Sequence, residues 1–317
     1  MRKRIILSIT LLLSLSTTAL PFQKKQKPEG TPVMWREPTD IGSRDLYLGS
    51  GGAEMQPDLS RVTFIRDDPA GHSIKYRVRD GSGKIWQTKL DNEAQTETAA
   101  SRLVWAVGYM TEVNYLVPCV KIEGAPEPPA DRVKRCEGNG FANVKFEARP
   151  EDVKRLDPWS WRSNPFTGTR ELQGLIVMMS LLNNWDLKDE NNKVLYVANG
   201  ESGRSELHYV VSDLGATFGK TGSFLSHTRN RPDDYAKTKF VEGTKGGRVR
   251  LAYSGKNSGI FGNITVEQAR WIGGLLSRLS DRQLNDAFRS ANYTPEEIQI
   301  LSGAVRAKIN QLVNIRG

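Results

Sequence analysis

Cysteine and histidine are scarce in this 317-residue chain, which has two of the first and three of the second. His72, His208 and His227 are scattered without metal-ligand spacing, and no Gly-x-Ser-x-Gly elbow accompanies them, so zinc chemistry and a serine–histidine–aspartate hydrolase find little support. Internal repeats are missing, and low-complexity sequence is confined to the N-terminal leader and tether. Charge of one sign is also weak. Lys and Arg number 45 against 36 Asp and Glu, a formal +9, and Arg2, Lys3 and Arg4 carry three of those charges, leaving about +6 (9 minus 3). A surplus so diffuse gives no reason to expect nucleic acid as a partner. At 38% hydrophobic and 26% charged, the chain can bury one large domain or two lobes sharing a cleft.

The only long apolar run lies at the start. Arg2, Lys3 and Arg4 precede Ile5 to Leu13, interrupted by Ser8 and Thr10, and a small, polar stretch follows to Ala19. The pattern predicts a secretory signal peptide over 1–20, cleaved after small residues such as Thr17 and Ala19, with no stable membrane span once it is removed. The expected compartment is extracytoplasmic, secreted or periplasmic. In an oxidising setting Cys119 and Cys136 are expected to form a disulfide around a proline- and charge-rich loop.

Residues 21–45 read as a tether and N-terminal extension, polar through Pro28, with the folded part expected to start between Met34 and Leu46. Short alternating runs then predict an antiparallel meander at 62–66, 74–79 and 84–90, punctuated by Asp-Pro-Ala-Gly at 68–71 and Gly-Ser-Gly at 81–83. Asn92 is placed to cap a helix from Glu93 to about Val107, stopped by Gly108. A strand is expected at 114–120, an excursion between strands at 119–140, and a return to the sheet near 141–146. A helix over 169–185 puts Leu172, Leu175, Ile176, Met179 and Leu182 on one face. Two short strands, 194–197 and 207–211, a Gly-, Lys- and Arg-rich stretch to about Asn263, and helices at 266–279, 281–291 and 295–313 complete the reading. Trp159 and Trp161 would serve as packing between prolines, or as a platform for a sugar or a base.

The chemistry-bearing residues fall in a particular order. Lys89 ends the third strand, Glu97 lies in the next helix with Glu93 one turn earlier, Asp186, Lys188 and Asn191 follow a later helix, and Asp213 begins Asp-Leu-Gly after two strands. This order resembles the protein-kinase fold, and more closely its atypical branches, the phosphatidylinositol-kinase-like and toxin-antitoxin serine-kinase-like enzymes and secreted kinases. The resemblance spans about residues 60–290. It implies an α+β, two-lobed fold, with a small antiparallel-sheet N-lobe over 46–150 and a mainly helical C-lobe over 151–317.

The resemblance also implies roles. Asp186 would accept the proton of an acceptor hydroxyl and Lys188 would steady the transferred phosphate. Lys89 would hold the early phosphates, braced by Glu97 or, failing that, Glu93. Asn191, or Asn192 in its place, and Asp213 would bind Mg²⁺ or Mn²⁺, and Gly71, His72 and Ser73 would form the phosphate-covering loop over ATP or another nucleoside triphosphate. Gly49-Ser50-Gly51-Gly52 is a second glycine run, lying far upstream of Lys89. The implied activity is transfer of a γ-phosphate to a hydroxyl on a protein, glycan or lipid, with the basic stretch from Lys220 to Arg250 suited to an acidic acceptor. The alternative is a catalytically idle module of the same fold that binds a nucleotide or phosphate ligand. This chain departs from the family pattern at Asn183, Asn184 and Trp185, which stand where His-Arg is usual, and in the glycine-poor loop at 68–73.

Overall fold

A small sheet lobe and a larger helical lobe meet across a cleft. The structure, a computed structural model, describes residues 27–69, 71, 73–201, 203–222 and 226–316; the expected leader and the start of the tether lie outside them. The fold begins with β1 (Thr31–Val33), slightly before the Met34–Leu46 window expected for its start. The small lobe contains β2 (Thr63–Asp67), β3 (Lys75–Arg79), β4 (Ile85–Lys89), α1 (Glu93–Ala106), β5 (Asn114–Val120) and β6 (Phe141–Ala148). Its five strands run antiparallel in the order β2-β3-β4-β6-β5.

Alternation along these strands separates two chemistries, because successive side chains of a strand point to opposite faces. One face carries Tyr76, Val78, Trp86, Val144 and Phe146, which pack with Tyr115 and Val117 into the lobe's own core. The other face carries charge. Lys75, Lys89 and Lys145 stand directly opposite one another on β3, β4 and β6, and in the next row Arg77 faces Gln87, which faces Glu147. α1 starts at N-cap Asn92, whose side chain makes no capping bond; the Asp91 carboxylate accepts the Glu93 N–H instead, at 3.0 Å. The helix ends before Gly108, whose φ of +98° suits glycine and whose Cβ position is filled by the Arg36 carbonyl.

The larger lobe follows with β7 (Val153–Arg155), α2 (Arg170–Leu181), β8 (Asn192–Val197), β9 (Glu206–Val211), α3 (Pro232–Ala236), β10 (Val241–Lys245), β11 (Arg248–Leu251), α4 (Val266–Ser277), α5 (Asp281–Arg289) and α6 (Pro295–Val313). α2, α4, α5 and α6 enclose one core into which Met178, Met179, Trp159 and Trp161 are sunk; the two tryptophans are packing groups, not an exposed platform. Thr169, Thr265, Ser280 and Thr294 cap the four helices through their hydroxyls. The Gly-, Lys- and Arg-rich stretch, read from sequence without elements, contains α3 and the β10–β11 hairpin. Residues 31–45, expected as an extension ahead of the small lobe, are built into the larger one, as is Leu46, expected to open the small lobe: β1 runs parallel to β9, and Met34, Ile41 and Leu46 are buried in the larger core.

Cys119 and Cys136 form a disulfide with Cα atoms 5.8 Å apart, tying the end of β5 to the loop before β6. Closing a loop of this length stabilises a domain by about 3 kcal/mol. Cys136→Ser is therefore expected to lower unfolding free energy by about that amount in denaturant titration, with no added effect of a reductant.

Lys308 is buried within the larger lobe, its ammonium 3.2 Å from both the Leu181 carbonyl and Asn183 Oδ1 and 3.9 Å from the Tyr235 ring centre. Burial pulls its pKa down to about 7 from the usual lysine value of 10.5. Between these values the unfolded chain binds the proton more tightly than the folded one, so stability rises with pH across that window. The expected signature is a melting temperature that climbs from pH 7 towards pH 10 and a flatter profile in Lys308→Met.

Candidate functional site

The hairpin β8–β9 explains how Asn191 and Asp213 meet although 22 positions separate them (213 minus 191). Its open end pairs Asn192 with Val211, and the Asn191 carbonyl accepts the N–H groups of both Ser212 (2.9 Å) and Asp213 (3.0 Å). The amide nitrogen of Asn191 is committed to Asp186, 2.6 Å from its carbonyl and 3.2 Å from Oδ2, which leaves the amide oxygen as the donor for a cation. Asn192, the substitute considered from sequence, is fully buried and bonds the Trp159 carbonyl at 3.0 Å, so it is not placed to bind a ligand.

On the opposite wall Lys89 gathers the carboxylates. Its ammonium pairs with Glu97 Oε1 and lies 2.9 Å from Glu93 Oε2 and 3.8 Å from Asp213 Oδ1. Glu97 and Glu93 are therefore not alternatives: both contact the lysine. Glu93 also pairs with Arg229 and accepts the Ser73 hydroxyl at 2.7 Å. Glu97 offers its second oxygen to Lys145, which lies 2.7 Å from Glu147. Glu93, Glu97 and Asp213 have ligand oxygens close enough to hold a cation, but the Lys89 ammonium bonds or approaches all three. The residues that could hold a divalent ion are Asp213 and Asn191, which offer a carboxylate and an amide oxygen of the hard type that Mg²⁺ and Mn²⁺ take.

Lys89, Glu97, Lys145 and Glu147 each expose no more than 4% of their surface, so the network is dry. Burial opposes charge on Lys89, yet Glu97 and Asp213 outweigh it and hold its pKa above the ordinary lysine value. Burial likewise works against ionised Asp213, but Lys89, the Glu97 side chain and the Gly215 N–H keep its carboxyl well below the usual range. Glu97 goes the other way: burial lifts it to about 7 against the pull of Lys145 and Lys89. On Glu147 Arg149 and Lys145 overcome burial and bring it to about 2.

Two joined basins open off this network. The inner one, about 460 Å³, lies between the charged sheet face and β8, and the outer one, about 660 Å³, reaches Asp186, Lys188, Trp185 and Arg229; Gly71, Lys75, Asn191 and Asp213 line both. Gly71, expected in the phosphate-covering loop, lines both basins at φ +83°, and Ser73 lines the outer one; His72 lies outside the described residues. The glycine run at 49–52 lines neither basin: Gly49 packs on the Arg102 guanidinium and Gly51 on the Tyr115 hydroxyl. Lys188 reaches back to within 3.0 Å of the Asp186 carboxylate.

The segment before Asp186, without His-Arg, is held by other bonds. Asn183 adopts φ +54° and donates to Gly219 O (2.7 Å) and Thr238 Oγ1 (3.0 Å), while its oxygen accepts from Lys308. Asn184 Oδ1 accepts the Asp186 N–H at 3.3 Å, and the Asn184 carbonyl accepts the Tyr253 hydroxyl at 2.8 Å. Trp185 donates to Thr228 O at 3.0 Å and stacks on His227 with ring centres 3.7 Å apart.

Sequence reasoning missed Lys145, Glu147, Arg149, Arg155 and Lys75. The signal was the period-two alternation Val144-Lys145-Phe146-Glu147-Ala148-Arg149, which assigns charge to one face of a strand whose other face is core. Glu97 is the one carboxylate shared by Lys89 and Lys145, so removing it leaves two neighbouring buried ammonium groups without the charge between them, at a cost of about 3–5 kcal/mol. Glu97→Ala is expected to destabilise the chain by about that much in denaturant titration, and Glu97→Gln by clearly less, since the amide oxygen still accepts from one ammonium.

No family model matches the chain, and no curated protein matches it. Among solved structures it is similar to CtkA, a proinflammatory kinase of Helicobacter pylori, at 10% identity over 79% of this chain and 95% of that one, with a TM-score of 0.47. It is similar to the Golgi casein kinase with Mn/ADP bound, at 10% identity over 81% of this chain and 73% of that one, TM-score 0.39. The hydra Fam20 with sugar matches at 12% identity over 83% of this chain and 88% of that one, TM-score 0.33.

Proposed function

We propose that the chain is a metal-dependent phosphotransferase that moves the terminal phosphoryl group of a triphosphate-bearing donor, a nucleoside triphosphate in the simplest case, to a hydroxyl acceptor outside the cytoplasm. The observation that carries this reading is the convergence of Lys89, Glu97, Asp186, Asn191 and Asp213, spread over 125 positions (213 minus 89, counting both ends), on one cleft between two lobes.

Asp213 and Asn191 would hold Mg²⁺ or Mn²⁺, which supplies charge neutralisation to the phosphate oxygens when bound. Lys89, kept cationic by Glu97, faces the inner phosphates. Asp186 lies in the outer basin, where it orients the acceptor hydroxyl and takes its proton. The acceptor oxygen forms a bond to the terminal phosphorus as the bond to the bridging oxygen breaks; the electron pair leaves with that oxygen, and Lys188 steadies the group in transit. Lys188, Arg229 and Lys256 line the same outer basin and suit an acidic acceptor. The disulfide supports an oxidising compartment, and no described helix is long and apolar enough to cross a membrane.

The test uses [γ-³²P]ATP as the triphosphate probe with Mn²⁺ or Mg²⁺ and a panel of extracellular proteins and glycans. Metal-dependent labelling is expected in the wild type and a loss of at least about 100-fold in both Asp186→Ala and Asp213→Ala. Thermal shift then separates the roles: Asp186→Ala keeps the response to metal plus triphosphate and Asp213→Ala loses it. Metal-dependent binding without labelling would identify the idle module instead.

A further inference from the structure

The inner basin has the wrong walls for a nucleoside base. None of the described residues lining it is aliphatic or aromatic; apart from Gly71, every one bears a polar or charged side chain. Seven are Lys or Arg and five are Asp or Glu, so cations exceed carboxylates by two before any divalent ion is bound. A purine is held by apolar surfaces on its two faces with a few polar groups at its edge. Placed here it would desolvate Arg77, Arg149 and Lys193 and give them nothing in return.

The same walls suit an anion. Beyond the row containing Lys89, the sheet presents Arg77 opposite Gln87 opposite Glu147, and the far wall presents Arg155 from β7 and Lys193 from β8. Carboxylates satisfy these cations only in part. Arg77 lies 3.3 Å from Asp68, Arg149 lies 2.5 Å from Glu147 and 3.8 Å from Glu112, and Arg155 pairs with Glu112 and lies 3.6 Å from Glu147. Yet the Nε atoms of Arg77 and Arg149 are buried with no hydrogen-bond partner, and Lys193 makes no ion pair among the described residues. The cations also crowd one another. Burial and Arg77 pull Arg155 down to about 10, and burial and Arg155 lower Lys193.

We propose that the inner basin holds the non-transferred end of the phosphoryl donor, and that this end is a phosphate-rich polyanion instead of a nucleoside base. The proposal rests on reading Asp213 and Asn191 as the metal and phosphate end of the same cleft. The required chemistry is a run of closely spaced phosphates, met equally by a linear chain of inorganic phosphates and by a polyol bearing several phosphate esters.

Isothermal titration of the wild-type protein with Mn²⁺ distinguishes the possibilities, using tripolyphosphate, ATP, linear octaphosphate and inositol hexakisphosphate as probes. ATP is expected to bind no more tightly than tripolyphosphate, and at least one longer polyanion about tenfold more tightly; which one does so identifies the source. Arg77→Gln and Lys193→Gln should each remove that tenfold advantage while leaving tripolyphosphate binding within about twofold. Lys193 is a half-buried strand residue, so its variant keeps the test open if Arg77→Gln does not fold.

Preference for ATP over tripolyphosphate by tenfold overturns the proposal and leaves the phosphotransferase reading standing. A long-chain advantage that is missing, or unchanged in Lys193→Gln, overturns it as well. Failure of every phosphate probe to bind with Mn²⁺ overturns both together. The converse variant, Arg77→Val with Lys193→Leu, should raise ATP affinity about tenfold by supplying the apolar faces the basin lacks.

Discussion

One carboxylate between two ammonium groups holds the cleft in shape. Lys75, Lys89 and Lys145 stand side by side on three neighbouring strands, an arrangement that like-charge repulsion opposes. Glu97, delivered by α1, places one oxygen on Lys89 and the other on Lys145 and so makes the row tolerable. The bond fixes more than the sheet. It sets the height of α1, whose other contacts include Gly215 through Thr96 and the turn after α5 through Gln95, and it presents Lys89 to Asp213 across the lobe boundary. Sheet and helix are joined at Glu97, and Thr96 and Lys89 carry the link on to the segment after the β8–β9 hairpin.

Much of this was legible in the sequence because the relevant signals are local. Strand alternation located β2, β3 and β4 to within a residue or two, the periodic apolar face located α2, and the helices expected at 266–279, 281–291 and 295–313 correspond to α4, α5 and α6. Lys89, Glu97, Asp186, Asn191 and Asp213 were named from their order, and the structure brings them to one cleft. What escaped notice depends on register. Nothing local says that residue 145 stands opposite residue 89, or that Glu97 is shared, because those facts arise from how β4 and β6 pair. β1 was missed for a similar reason: three residues carry no period, and their partner is β9, far along the chain. The capping of α1 by Asp91 in place of Asn92 shows the smallest version of the problem, a one-residue choice between two competent side chains.

The loop before Asp186 illustrates how a departure from a familiar pattern is absorbed. Asn183, Asn184 and Trp185 each find partners in segments that come later in the chain, namely Gly219, Thr238, Tyr253, Thr228 and the buried amine of Lys308. The geometry around Asp186 is therefore set by the interior of the larger lobe and by α6. An asparagine turn with positive φ replaces a basic scaffold, with its polar atoms satisfied inside the protein.

The pairing of β1 with β9 has a consequence for how the chain reaches its final state. Thr31 aligns with Glu206, a span of 175 residues (206 minus 31), so β1 finds no mate until the chain has been made through β9. Contacts of such long range close late, because the entropy of bringing distant segments together must be met before the contact returns anything. β1 thus behaves as a seal: it lies against the strand leading to Asp213 only after the hairpin it joins has formed.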